Sequence, residues 1–103
     1  MTSNTAELDI FEHFGRPSQR HKTHLETEIW SSIHDWTKPP PNTVWTDRMQ
    51  LPFRVADDFH VYACDWDDDG LRFYVDGSLI RDVKKEDAEK WTLTGPMWIW
   101  IDS

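Results

Sequence analysis

The chain has 103 residues, with 11 Lys and Arg against 19 Asp and Glu, a formal net charge of −8. That length makes one domain the ceiling, and that charge argues against nucleic acid, whose phosphates demand clustered cations, and against an anionic membrane surface. Hydrophobic residues make up 38%, enough for a small core, and seven tryptophans, two tyrosines and five phenylalanines make the chain unusually aromatic.

The first predicted element spans residues 6–14. Its acids, Glu7, Asp9 and Glu12 in Ala6-Glu-Leu-Asp-Ile-Phe-Glu-His-Phe-Gly15, admit two readings. As a helix, Asn4 would cap it with Glu7 as capping-box partner, Gly15 would end it, and Leu8, Phe11 and Phe14 would form its apolar stripe. As a strand, side chains alternate between faces, so Glu7 and Asp9 share one while Leu8 and Ile10 point the other way. Glu12 then has the wrong parity unless a β-bulge at Ile10-Phe11 restores it. The strand reading gathers three carboxyls in one place, where not all can ionise cheaply and at least one pKa must rise.

Gly15-Arg-Pro-Ser opens a polar loop holding Arg16, Arg20, His21, Lys22 and His24, either a solvated loop or a basic patch suited to sulfated ligands. Over residues 24–36 the apolar spacing of Leu25, Ile29 and Ile33 leaves strand and helix in competition. Pro39-Pro-Pro41 dictates an extended loop without backbone donors. Residues 59–66, 71–75 and 78–83 read as a strand meander, with Asp76-Gly77 a two-residue hairpin turn. Cys64 has no partner for an intrachain disulfide and reads as a buried small hydrophobe. Residues 84–90 form a charged insert of one helical turn or more, and residues 97–101 read as a buried strand.

One rival motif lies at Asp65-Trp-Asp-Asp-Asp-Gly-Leu-Arg-Phe-Tyr-Val-Asp76, which follows much of the calcium-loop spacing but ends in Asp where Glu is wanted. Its flanks are β-branched and aromatic, so an acidic hairpin tip is the competing reading. No apolar run approaches the roughly 20 residues of a membrane span. Met1-Thr-Ser-Asn-Thr lacks the basic start and apolar core of a signal peptide.

Taken in order, Glu7-x-Asp9-x-x-Glu12, Ile33-His-Asp-Trp36, Asp58-Phe-His-Val-Tyr-Ala-Cys-Asp-Trp66, Leu71-Arg-Phe-Tyr-Val-Asp-Gly77 and Pro96-Met-Trp-Ile-Trp-Ile101 resemble glycoside hydrolase family 16, from about residue 5 to the end. The resemblance implies an all-β fold, a partial concanavalin-like β-sandwich (jelly roll) incomplete at both ends, with residues 1–103 forming one partial catalytic domain. It makes residues 24–36 mostly strand, returning beside residues 6–14. It also implies a retaining endo-β-glycanase acting on a β-glucan or an algal galactan, with Glu7 as nucleophile, Glu12 as general acid/base and Asp9 as their helper; these 103 residues alone, with the cleft incomplete, are expected to be inactive. A retaining pair needs carboxyls about 5 to 5.5 Å apart; with the bulge absorbed the Glu7 and Glu12 Cα atoms sit about 13 Å apart along the strand, and side chains leaning inward close most of that gap.

By the same resemblance His34 lies near the acids and binds in the cleft, and Trp36 is the candidate for stacking on a sugar ring. The implied partner is a polysaccharide, with no cofactor and no metal, and the implied location is extracellular or periplasmic. The absence of a signal peptide and of about half a family domain then reads as a true amino terminus lying upstream. The Glu-x-Asp-x-x-Glu spacing resembles laminarinase-like, agarase-like and carrageenase-like members rather than lichenase-like ones, whose spacing is one residue shorter. The alternative is a relative with the same sandwich that binds carbohydrate without hydrolysing it.

Overall fold

The computed structural model describes residues 6–14 and 25–101. Among these residues six strands form two antiparallel three-stranded sheets. The first sheet holds β1 (Ala6–Glu12), β2 (Glu28–Asp35) and β3 (Thr43–Gln50), and the second holds β4 (Tyr62–Asp67), β5 (Gly70–Val75) and β6 (Ser78–Lys84). In each sheet sequence neighbours are spatial neighbours, so β2 and β5 are the central strands. The expected all-β sandwich is what the chain forms. No helix among the described residues is long and apolar enough to cross a membrane.

Alternation explains the layering. Along β2, Ile29, Ser31, Ile33 and Asp35 are buried while Glu28, Trp30, Ser32 and His34 are half-exposed, the period-two pattern of a sheet with one covered face. The covered face meets Leu71, Phe73, Val75 and Val83 of the second sheet in a core that also takes in Val44, Met49, Leu51 and Leu93. Phe73 is the pivot. It stacks on Trp45 with ring centroids 6.2 Å apart and takes Phe11 edge-on at 5.6 Å.

The helix reading of residues 6–14 fails because β2 supplies a ladder: Ala6 to Asp9 pair with Asp35 to Ser32. Asn4, Gly15 and the basic cluster at Arg16, Arg20, His21, Lys22 and His24 lie outside the described residues. Residues 24–36 are strand over Glu28–Asp35, preceded by a 3-10 turn at Leu25–Thr27. The triple proline is a loop, with a cis bond between Pro40 and Pro41. Strand β3 that follows it was not expected. It carries a bulge of its own, since Ile33 pairs with Trp45 but His34 with Thr43.

In the second sheet, Asp76 and Gly77 take φ of 51° and 82° and join Val75 to Ser78. Two residues with positive φ are what a type I′ hairpin turn requires. Strand β4 begins at Tyr62 rather than residue 59, and Phe59 is exposed. Cys64 is half-buried, and its apolar surroundings push the thiol up to about 11, which keeps it unreactive.

One rival reading falls and one expectation is overturned. Residues 65–76 form the β4–β5 hairpin, with strands where a calcium loop needs helices. Arg72 engages two of their acids within the chain, bonding Asp65 at 3.1 Å and Asp67 at 2.7 Å, while the other Asp67 oxygen accepts the Asp69 and Gly70 N–H groups. Residues 97–101 join no ladder, and Trp98 and Ile101 are 96% and 91% exposed. An apolar alternation becomes a buried strand only when a neighbouring strand takes up its backbone groups, and the described residues offer none here. The charged insert is a single 3-10 turn, Lys85–Asp87, with Asp87 accepting the Lys84 N–H at 2.9 Å.

Candidate active site

The ladder between β1 and β2 slips between Asp9 and Glu12. Asp9 pairs with Ser32 and Glu12 with Trp30, so three steps on β1 match two on β2. This is a β-bulge at Ile10-Phe11. The carbonyl of Ile10, displaced from the ladder, accepts a hydrogen bond from the hydroxyl of Ser31, which is fully buried beneath it. A bulge leaves a backbone group unpaired, and this serine satisfies it.

The bulge decides which side chains meet. Glu7, Asp9 and Glu12 pair with His34, Ser32 and Trp30, which all lie on the half-exposed face of β2. Across β2 the same face continues into Thr43, Thr46 and Arg48 of β3. Three rows therefore run across the first sheet: Glu7–His34–Thr43, Asp9–Ser32–Thr46 and Glu12–Trp30–Arg48. Successive rows are about 6.8 Å apart along the strands.

The first two rows are wired together. His34 Nε2 lies 2.9 Å from Asp9 Oδ2, and its Nδ1 lies 2.9 Å from Asn42 Oδ1 and 3.3 Å from the Thr43 hydroxyl. A proton on Nε2 is donated to Asp9; a proton on Nδ1 matches Asn42 Oδ1, while a bare Nδ1 matches the Thr43 hydroxyl. Trp36 stacks on His34 with centroids 5.7 Å apart, and its indole N–H donates to Glu7 Oε2 at 2.7 Å. The Trp36 ring is 56% exposed. It combines a free apolar surface with a polar anchor.

These contacts set the electrostatics. The Glu7 carboxyl is held above its ordinary value of 4.5, first by the hydrogen bond it shares with Asp9 and then by desolvation; the Trp36 N–H opposes this. A neighbour that competes for the same proton is the expected consequence of carboxyls two residues apart on one strand face. Glu12 is half-buried at the far end of the row, opposite Trp30. The five site residues expected from the sequence thus fall on one face, with Glu7, Asp9, His34 and Trp36 in one network and Glu12 beyond it.

Sequence reasoning missed what holds the network. Asp35 is 1% exposed; its Oδ1 accepts the Thr37 N–H at 3.0 Å and the Thr37 hydroxyl, and its Oδ2 accepts Lys90 Nζ at 2.9 Å. The turn it folds carries Trp36 to Glu7. Thr37 foremost and Lys90 next hold the Asp35 carboxyl down at about 2, against an ordinary 3.8. A depressed folded value stabilises the protein above the unfolded value, so this contribution is complete above pH 3.8 and is lost as pH falls toward about 2. Asp35→Asn is expected to lower Tm by several degrees at pH 7 and by little at pH 2.5, read by thermal unfolding at both. An equal loss at both pH values would refute the ionic account.

No group of three or more His, Cys, Asp or Glu among the described residues is arranged to hold a metal ion.

Comparison with known proteins fits this picture. Among curated proteins no match was found. The laminarinase catalytic domain of Thermotoga maritima MSB8 shares the fold at a TM-score of 0.58 and 23% identity, over 81% of this chain and 31% of its own. The chain thus spans about a third of that domain. A family model, Glycosyl hydrolases family 16, matches residues 1–102. With the match running through both sheets and across the whole acid-bearing strand, the chain belongs to family 16 of the glycosyl hydrolases.

Proposed function

We propose that the protein is a retaining endo-β-glycanase that hydrolyses a β-glucan or galactan, with Glu7 as nucleophile, Glu12 as general acid/base and Asp9 as helper. The observation that carries this reading is the slip between Asp9 and Glu12, which turns Glu12 onto the face of Glu7. Without it the strand would divide its acids between core and cleft.

In the first step a Glu7 carboxylate oxygen attacks the anomeric carbon while Glu12 gives its proton to the departing glycosidic oxygen, so the C–O bond breaks as a glycosyl ester forms. In the second, Glu12 takes a proton from water, whose oxygen displaces Glu7 and restores the starting configuration. Asp9, hydrogen-bonded to Glu7 and held by His34, takes up the shared proton when Glu7 must be ionised. Trp36 fixes one Glu7 oxygen and offers its ring to a sugar. His34 and Trp36 bind substrate in this reading. The polymeric substrate implies an extracellular or periplasmic place of work.

Proton NMR of the first product formed from a β-linked oligosaccharide tests the stereochemistry. The β-anomer is expected to appear first and the α-anomer to grow in by mutarotation. An initial α-anomer would exclude retention, and glycan binding without any hydrolysis would replace this reading by the non-catalytic one.

A further inference from the structure

The third row of the face does something the acid network does not explain. Arg48 stands with its guanidinium carbon 4.5 Å above the centre of the Trp30 ring. The other described arginines are all committed to acids: Arg54 to Glu26, Arg72 to Asp65 and Asp67, Arg81 to Asp47 at 2.7 Å. Among the described arginines Arg48 alone has a guanidinium without a carboxylate partner, its backbone N–H donating to Asp47 Oδ1 at 2.8 Å, in a chain of net charge −8. It is exposed, and it lines an open groove with Trp30, Thr46 and Asp47. The groove's own carboxylate, Asp47, is already taken by Arg81. Glu28 accepts the Trp30 indole N–H at 3.3 Å and is not within ion-pair distance of Arg48.

We propose that Arg48, held on Trp30, is a specificity-determining residue that receives an anionic substituent, a sulfate ester or a uronate carboxylate, on the glycan lying across this face. The inference rests on the glycanase reading for its location. Its chemistry stands on the groove. Arg48 and Glu12 flank Trp30 in one row, so their backbones are two strand spacings, about 10 Å, apart. A chain bound over Glu7 and Glu12 therefore passes the guanidinium. The acids of this face repel a negative sugar, and the Arg48 guanidinium offsets that where it stands, gaining more from an anionic oxygen than from a neutral hydroxyl. A planar guanidinium stiffened by an aromatic ring matches two oxygens of a sulfate or carboxylate. Thr46 and Ser32, whose hydroxyls are 3.1 Å apart in the adjoining row, offer donors and acceptors to the sugar itself.

The test compares wild type, Arg48→Gln and Arg48→Lys on four substrates: a sulfated β-galactan, its desulfated form, a β-linked polyuronate and a neutral β-1,3-glucan. Hydrolysis gives kcat/KM, and migration through gels containing each polysaccharide gives affinity. Arg48→Gln is expected to lose about 10- to 100-fold on either the sulfated galactan or the polyuronate, the range for hydrogen bonds to charged groups. Its values on the two neutral polymers stay within about twofold, since packing on Trp30 is not what is lost. Arg48→Lys recovers part of the loss, and added salt weakens the wild-type preference. Whichever anionic polymer responds identifies the substituent. Equal losses on charged and neutral polymers would reduce Arg48 to a support for Trp30 and overturn the proposal, as would a wild type that prefers neutral glycans. Retarded migration in the anionic gel without hydrolysis would uphold Arg48 while removing the catalytic roles of Glu7 and Glu12. Hydrolysis with no effect of Arg48→Gln would do the reverse.

Discussion

Glu7→Gln is expected to cut hydrolysis by about 10⁴-fold or more, because removing a covalent nucleophile leaves only binding and electrostatics. The same substitution should not lower Tm. The Glu7 carboxyl is raised above 4.5 in the fold, so its stabilising contribution exists below that value and is lost as pH rises through the folded pKa. At neutral pH the anion is therefore a burden, and an amide that still accepts the Trp36 N–H relieves it.

Smaller side chains separate the two roles. With an activated substrate and added azide, Glu7→Ala should yield the α-glycosyl azide, since azide enters where the carboxylate stood. Glu12→Ala should yield the β-glycosyl azide, since azide opens an intact glycosyl ester. Interchanged products would reverse the assignment of Glu7 and Glu12. Full activity of Glu7→Gln would end it.

The largest stability effect is expected far from the acids, at Gly70→Ala. A Cβ there would fall 2.1 Å from the carbonyl oxygen of Val83 and 3.1 Å from its carbon, both backbone atoms in the paired strand β6. Neither can yield as a flexible side chain would. The cost is about 3 kcal/mol or more, at the top of the range for overpacking, and more than about 10 °C of Tm for a domain of this size. Gly77 is the control. Its φ is +82° with nothing within 4 Å of an added Cβ, so Gly77→Ala meets strain alone, about 1 kcal/mol. Thermal unfolding of the two variants side by side decides it, and a Gly70→Ala Tm within 2 °C of wild type would show that β5 and β6 separate easily.

The contrast between what was readable and what was not follows from range. Local residues left helix and strand open over residues 6–14, and the resemblance of the later segments favoured the strand. Given a strand, the bulge at Ile10-Phe11 was legible because parity is a local rule: three acids at positions 7, 9 and 12 share a face only if one residue is absorbed. The Asp76-Gly77 turn was legible for the same reason. Strand β3 was not, because its own bulge at Val44 breaks the alternation by which a strand announces itself. Residues 97–101 carry that alternation cleanly and still form no ladder, since pattern states a capacity and pairing needs a partner. Asp35 stands within Ile33-His-Asp-Trp36, yet its role depends on Lys90, 55 residues away. Arg48 carries no local signal at all. What marks it is the lack of an acid beside it, and sequence holds no record of distances.

The bulge on β1 also has a bearing on how this strand can change length. Leu8 and Phe11 face inward and the acids outward, while Ile10, 42% exposed, is the residue out of step. Removing Ile10 alone would leave Glu-Leu-Asp-Phe-Glu, in which every side chain keeps its present face. Removing Leu8 would throw every following residue onto the opposite one. Removing Phe11 instead would put Ile10 in its inward place, so a strand built this way tolerates a single-codon loss within the bulge and not before it.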